Sequence, residues 1–383
     1  MKVVVAIDSF KGSLSSYDLG EAIEKGIRNI YLEGEVIKVP IADGGEGTVE
    51  SLVQGTNGEF VVMDVHNPLM KKIKATYGVM GDGTAVIEMA EASGLPLIPK
   101  EERDPMKTTT YGTGELIKDA IEKGCRNFIV GIGGSATNDA GVGMLQALGY
   151  NFLDENKEKV GKGGEVLSKI RYIDDKNKIK ELDQCNFLIA CDVDNPFYGE
   201  RGAAEVYGRQ KGATEEMVKL LDKGLRDFSK TIEKTMGIDI SNLKGAGAAG
   251  GLGGGLVAFL NGKLAPGIDI VLEKVNLEKE MIDADFVITG EGRLDFQTAM
   301  GKAPVGVAKV AKKFDIPVIG LAGGVADEAI ETHKKGIDSF FSIINYPITL
   351  EEAMKPEIAR KFVEKNTEEI FRLIKVCEKK FSK

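Results

Sequence analysis

Histidine is nearly absent from this chain: His66 and His333 are the only two in 383 residues. That excludes histidine-rich metal centres and most mechanisms built on an imidazole. Cysteine is also sparse. Cys125, Cys185, Cys191 and Cys377 are scattered without metal-ligand spacing, which points to a reduced, cytoplasmic chain rather than a disulfide scaffold. No stretch is long and apolar enough to span a bilayer, and the start, Met1-Lys2-Val3-Val4-Val5-Ala6-Ile7-Asp8, reads as a first strand and not as a signal peptide. Positive charge is in deficit, 50 Lys and Arg against 59 Asp and Glu, and the net −9 is the wrong sign for a nucleic-acid footprint. No G-x-x-x-x-G-K-[ST] string occurs, so a Walker-type P-loop is excluded. There is no fixed-period repeat.

What the chain has in excess is glycine, 48 residues, against a typical share of about 7%. The glycines cluster in loops that also carry acids and hydroxyls. Three stand out: Ala42-Asp43-Gly44-Gly45-Glu46-Gly47-Thr48, Gly131-Ile132-Gly133-Gly134-Ser135-Ala136-Thr137-Asn138-Asp139 and Thr289-Gly290-Glu291-Gly292-Arg293-Leu294-Asp295. Glycine lets backbone N–H groups approach an oxyanion closely. Carboxylates in the same loops would repel a bare phosphate but suit one that carries Mg²⁺.

Short apolar runs alternate with amphipathic segments, the pattern of a parallel α/β fold. Residues 3–7 and 36–41 read as buried strands, with a helix between them that places Leu19, Ile23, Ile27 and Ile30 on one stripe. Near the other end, 286–289, 318–321 and 340–343 read as strands, separated by helices near 301–313 and 326–335 and closed by a helix near 358–380. Two strands are too few for an independent core. The expected architecture is therefore a discontinuous Rossmann-like parallel-sheet domain, 1–58 with 284–383, into which a second α/β domain, 59–283, is inserted. The inserted domain opens with a meander near 60–65, 73–79 and 84–89. Strands follow at 128–130 and 187–191, together with a helix carrying Met217, Leu220, Leu221, Leu225, Phe228 and Ile232. The run 245–255 reads as either a tightly packed small-residue helix or the base of a lid.

The loops at strand ends are where an open α/β sheet places its ligands. Asp8 and Lys11 follow the first strand, and suit a metal or hydroxyl and a phosphate respectively. Asp43 and Glu46 follow the second and suit Mg²⁺ or substrate hydroxyls, although acids at a helix start also satisfy the dipole. The 131–139 loop is the strongest phosphate candidate, because it follows a buried strand and opens a helix whose free N–H groups would converge on an anion. Asp192 and Asp194 form a metal pair, a catalytic base with a helper, or ordinary turn acids before Pro196. Glu291, Arg293 and Asp295 suit a metal–phosphate site. Arg201, Arg209 and Lys211 are candidates for a substrate anion. Gly131-x-Gly133-x-x-Ala136, with Asp154 downstream, also fits a dinucleotide fingerprint.

Taken together these loops resemble the bacterial glycerate kinases of the class I type. The resemblance is carried by DSFKGSLS (8–15), PIADGGEGT (40–48), GIGGSATNDAGVGMLQALG (131–149), CDVDNP (191–196), G-x-x-GAA-x-x-YG-x-QKGA (199–213), GAGAAGGLGGGL (245–256) and ITGEGRLD (288–295), in order over nearly the whole chain. It implies ATP- and Mg²⁺-dependent phosphorylation of D-glycerate to 2-phosphoglycerate, or to the 3-phosphate, in the cleft between two α/β domains. Phe296 stands where a serine usually follows the aspartate, and Arg209 where a proline commonly precedes Gln210-Lys211.

On this reading, Asp192 orients the acceptor hydroxyl as base, Lys11 holds phosphoryl oxygens, and Asp8 is a further catalytic residue. Gly133, Gly134, Ser135, Thr137 and Asn138 hold the nucleotide phosphates. Arg293, Asp43 and Asp194 contact substrate, and Glu291 and Asp295 hold the metal. The partners are small molecules, with no nucleic acid and no membrane, and the sequence leaves monomer and homodimer open. Two rivals stand beside it: an NAD(P)-dependent oxidoreductase of a small hydroxy acid using the 131–136 fingerprint, and a non-catalytic nucleotide-binding regulator.

Overall fold

The computed structural model describes residues 1–381. The fold is mixed α/β. Its strands are β1 (Lys2–Val5), β2 (Glu35–Lys38), β3 (Glu59–His66), β4 (Lys72–Val79), β5 (Ala85–Glu88), β6 (Asn127–Gly131), β7 (Asn151–Leu153), β8 (Tyr172–Asp174), β9 (Asn186–Ala190), β10 (Lys263–Ala265), β11 (Phe286–Leu294), β12 (Val318–Val325) and β13 (Ser339–Ser342). The chain divides into two compact units. Unit 1 comprises Met1–Asp43, Glu50–Gly55 and the chain from Ile268 on; unit 2 comprises Gly44–Val49 and Thr56–Gly267.

Unit 1 is built on a five-stranded sheet in the order β13-β12-β11-β1-β2, parallel throughout. Val3, Val4 and Val5 are buried on both faces, as a continuous apolar run in a covered parallel sheet requires. The helix Ser16–Arg28 starts at Ser15, whose hydroxyl accepts from the Asp18 N–H. Its stripe of Leu19, Ile23 and Ile27 is buried. Gly26 lets this helix meet the helix Pro356–Phe381 at backbone distance, since a Cβ there would sit 2.6 Å from the Glu364 carbonyl oxygen. The segment expected as a helix near 326–335 is 3₁₀ over Asp327–Lys335.

The boundary of unit 1 falls at Ile268, earlier than residue 284. The reason is packing: Ile268 and Leu272 fill the space beside Gly306, and Val275 that beside Gly55. In the sheet, β2 lies to one side of β1, while β11, β12 and β13 extend to the other. Strand order therefore reverses between β1 and β11, where the carboxyl ends of the strands open a crevice.

Unit 2 has a six-stranded sheet, β10-β9-β6-β5-β4-β3. β3, β4 and β5 form the antiparallel meander, and β5, β6, β9 and β10 run parallel. The helix Glu215–Met236 buries Val218, Leu221, Leu225, Phe228 and Ile232. Leu220, expected on that stripe, is 55% exposed, because the helix presents its 218–221–225 line to the core. Only the end of the 245–255 run is α-helical: a 3₁₀ turn, Ala248–Gly251, leads into the helix Leu252–Leu260. A Cβ on Gly255 would stand 2.3 Å from the Ala140 carbonyl oxygen, so only glycine permits that packing.

Candidate active site

The crevice of unit 1 lies where β1 and β11 end. Past β1 the chain stays in register: the Asp8 N–H donates to the Gly290 carbonyl at 3.0 Å. This brings Asp8 beside Glu291, and both side chains are largely buried, 2% and 7% exposed. The Ser9 N–H donates to Asp8 Oδ1 at 2.7 Å. Burial above all, then the negative charge of Asp43, pushes the Asp8 carboxyl up to about 7, against the opposing pull of Lys11 and the Ser9 N–H. Glu291 is also raised, chiefly by burial, although Thr298 and Lys302 counter it. Thr298 Oγ1 donates to Glu291 Oε1, and Lys302 Nζ lies 3.7 Å from Oε2. Lys11 Nζ pairs with Asp43 Oδ2 at 3.1 Å.

Asp295 caps the short helix Phe296–Ala299, accepting from the Gln297 N–H at 2.9 Å, and Arg293 reaches it at 3.9 Å. Asp8, Lys11, Glu291, Arg293, Asp295 and Lys302 line a cavity of about 690 Å³ together with apolar residues, most of them from the segment after β13. Of the residues singled out in the sequence, Asp8, Lys11, Asp43, Glu291, Arg293 and Asp295 thus belong to unit 1, and all but Asp43 line its cavity.

In unit 2 the parallel strands also end in polar groups, but the 131–139 loop is arranged differently from the expectation. The helix after β6 starts only at Val142 and spans six residues, Val142–Ala147. Its N-terminal amides already hold a carboxyl group, that of Asp139, which burial raises above its ordinary range against the pull of these bonds. That carboxyl group is fully buried and accepts from the N–H groups of Gly141 and Gly143, each at 3.2 Å. Thr110 N–H adds a bond at 2.8 Å, and the Thr109 and Thr110 hydroxyls add more. The seat expected for a phosphate is filled from within the chain.

Thr137 and Asn138 are likewise 0% exposed, with the Thr137 hydroxyl and both Asn138 amide atoms lacking a partner. Ser135 is buried too, and only Gly133 and Gly134 are exposed. The dinucleotide fingerprint fails for the same reason, since the helix N-terminus after β6 is not open to a pyrophosphate. Asp154, its expected ribose ligand, instead closes its own turn by accepting from Asn156 and Glu158 N–H.

Lys211, expected to meet a substrate anion, is instead 2% exposed and donates from Nζ to Ser135 Oγ and to the Thr137 carbonyl, both at 2.7 Å. Burial pulls its ammonium down to about 7, with Asp139 opposing. It is therefore a strut under the loop, not a surface cation. Glu88, at the end of β5, is the group that escaped the sequence reading: it accepts from the Val49 N–H at 2.9 Å, and burial pushes it up to about 7. An acid closing an apolar strand is its only sequence signal.

Asp192 follows β9 and is exposed. Its Oδ1 accepts from the Gly267 N–H at 2.9 Å. Asp194 is in an exposed ion pair with Arg201 at 2.9 Å, of a kind that contributes little. The 44–49 segment lies over the ends of β6 and β9: a Cβ on Gly44 would meet Gly267 and Ala190, and one on Gly131 the Gly44 carbonyl.

Comparison with known proteins agrees with the resemblance. The model of the "Glycerate kinase family" matches residues 3–375. A "Glycerate kinase" of Bacillus subtilis (strain 168) is 48% identical over 382 residues, covering 100% of both chains. A "Glycerate 2-kinase" of Escherichia coli (strain K12) is 49% identical over 356 residues, 93% of each. A solved structure described as a glycerate kinase 2 from Salmonella typhimurium LT2 superposes with a TM-score of 0.92 at 44% identity, covering 99% of each chain. The oxidoreductase and the non-catalytic regulator find no support beside these matches. An acidic crevice at the switch point of a parallel sheet, in a chain that aligns with such relatives from end to end, leads to one conclusion: the chain belongs to the glycerate kinase family, whose members are phosphotransferases.

Proposed function

We propose that this protein transfers the γ-phosphoryl group of Mg²⁺-bound ATP to the 2-hydroxyl of D-glycerate, and does so in the cytoplasm. Family membership implies ATP as the co-substrate. The regiochemistry is supported by the relative named glycerate 2-kinase, and the reducing compartment by four cysteines that form no disulfide. The observation that carries the reading is the crevice of unit 1, in which Asp8, Glu291, Lys11 and Lys302 converge at the strand ends. We also propose that the two units act as the enzyme's two domains.

The donor set fits Mg²⁺. Asp8 and Glu291 are hard oxygen donors whose anionic forms are disfavoured by burial and by neighbouring acids, a tension a cation relieves. No group of three or more His, Cys, Asp or Glu among the described residues would hold a metal alone. That suits an ion which keeps its waters and uses one or two carboxylates together with phosphate oxygens. Bound with the nucleotide, Mg²⁺ supplies the positive charge that the transferring phosphoryl group needs.

The chain's own residues supply position and charge. Asp8 and Glu291 would hold the metal, with Asp295 as a further donor and Asp43 nearby as an additional negative charge. Lys11 and Lys302 take phosphoryl oxygens, and Arg293, on a mostly exposed side chain, takes the glycerate carboxylate. Asp192 orients the acceptor hydroxyl and receives its proton, held by its bond to Gly267. Of the nucleotide contacts expected in the 131–139 loop, the exposed Gly133 and Gly134 amides remain for an anionic group of a substrate.

A coupled ADP-release assay on D-glycerate, with and without Mg²⁺ and followed by ³¹P NMR, tests the proposal. Mg²⁺-dependent ADP release with a 2-phosphate resonance is expected; a 3-phosphate product refutes the regiochemistry, and no release refutes the activity. Asp192→Asn is expected to lower kcat by about 10²-fold or more, and near-normal turnover removes that residue from the mechanism.

A further inference from the structure

We propose that the apolar residues lining the unit 1 cavity form the nucleoside subsite, so that unit 1 binds ATP through Phe10, Ile344, Ile348, Leu350 and Met354 together with the acids and lysines of the strand ends. The proposal rests on the phosphotransfer reading and adds to it which part of the molecule holds the base and ribose.

Size is the first argument. The cavity measures about 690 Å³, within the ordinary range for a cofactor or drug-sized ligand. A three-carbon hydroxy acid is far too small to fill it and offers nothing that an apolar wall would recognise. The second argument is the make-up of the lining. Asp8, Lys11, Glu291 and Lys302 share it with apolar residues, most of them from the segment that follows β13. A ligand matching that mixture carries both a charged group and a flat, weakly polar one.

The third argument is exposure. Leu350 is 76% exposed and Met354 36%, at or beside the four-residue helix Leu350–Ala353. Val325, also lining the cavity, is 37% exposed. Grouped exposed apolar side chains around a concavity mark a binding surface. The wall is nevertheless held in place. Asn366 Nδ2 donates to the Ile343 carbonyl at 2.8 Å, and Thr349 caps the short helix by accepting from the Glu352 N–H. Gly292 and Gly324 complete the lining, with no atom closer than 3.7 Å to where a Cβ would stand, so backbone is open to a ligand there. The rival location is closed, because the amides after β6 already bind Asp139.

The test uses the full chain, with Leu350→Asp combined with Met354→Asp. Both side chains are exposed enough for the fold to survive, which circular dichroism verifies. Binding of mant-ATP is read by fluorescence enhancement, and binding of adenosine alone by calorimetry. The wild-type protein is expected to bind both. The double variant is expected to raise the Kd for mant-ATP and the KM for ATP by about tenfold or more, with kcat and the KM for glycerate within about twofold; tenfold corresponds to about 1.4 kcal/mol.

Unchanged mant-ATP and adenosine binding in the double variant overturns the subsite. A rise confined to the KM for glycerate also overturns it, by giving the cavity to the acid. If the wild type binds adenosine and the variant loses it while neither protein phosphorylates D-glycerate, the subsite stands and the kinase reading fails.

Discussion

Replacing Asp8 by asparagine isolates the electrostatic cost of the crevice. The carboxyl is displaced from 3.8 to about 7, mainly by burial and next by Asp43. At 1.36 kcal/mol per tenfold change in proton affinity, that gap amounts to roughly 4 kcal/mol. The folded protein holds the Asp8 proton more tightly than the unfolded chain does. The wild type therefore bears no penalty below pH 4 and loses stability as pH rises through 7. Asparagine keeps the shape and an acceptor for the Ser9 N–H but never ionises.

Relative to wild type, Asp8→Asn should thus gain about 2–4 kcal/mol between pH 4 and pH 8, allowing for relaxation around the charge. Urea unfolding of both proteins at half-unit pH steps gives the difference curve, in which contributions from groups such as Glu88 and Lys211 cancel. A curve flat between pH 5 and pH 8 would show that Asp8 is not a strained anion, and with it would fall the reason for placing a cation there. Activity should move the opposite way: the more stable variant should lose kcat by about 10²-fold or more, since a charge stabilising the transition state is gone.

Lys211→Met should behave in the mirror sense. The lysine is depressed to about 7 in the fold, so wild type should gain roughly 2–4 kcal/mol on the variant as pH rises from 7 to 10.5, which the same unfolding series reads. Asp139→Ala leaves the amides of Thr110, Gly141 and Gly143 without an acceptor and should cost about 3 kcal/mol or more; a thermal midpoint within a degree or two of wild type refutes the account of Asp139 as the acceptor that fills this loop. Gly290→Ala places a Cβ 1.8 Å from the Leu321 carbonyl oxygen and should yield insoluble protein or a loss above about 3 kcal/mol. Chelation of Mg²⁺ by EDTA should abolish ADP release while leaving adenosine binding intact, and a fully active chelated enzyme contradicts the metal assignment.

The parallel sheets were legible because continuous apolar runs such as 3–7 and 128–130 have few alternative destinations. Asp8, Asp43 and Glu291 were legible for a related reason: each closes such a run, and a strand's carboxyl end is where ligand groups collect. Asp139 was not. In Thr137-Asn138-Asp139 the sequence displays three donors or acceptors but not which way they face, and the deciding partners, Thr109 and Thr110, lie about thirty positions upstream. Lys211 is harder still, because its role depends on Ser135, seventy-six residues away. A local window shows a cation in a glycine-punctuated loop, and solvent is the default reading for such a residue. The boundary at Ile268 was missed because amphipathic helices carry no label for the core they join.

The pairing of Val3 with Phe286 has a consequence for how the protein is made. β1 and β2 leave the ribosome first, yet β1 has no neighbour on its β11 side until most of the chain has been synthesised. The sheet of unit 2 draws its strands from the stretch 59–265 and can assemble while the earliest strands still wait. Closing a loop of that length costs only slowly growing entropy, but the waiting strands are apolar and unprotected. The sheet of unit 1, and with it the acidic crevice, can therefore be completed only once the strands after Phe286 have been made.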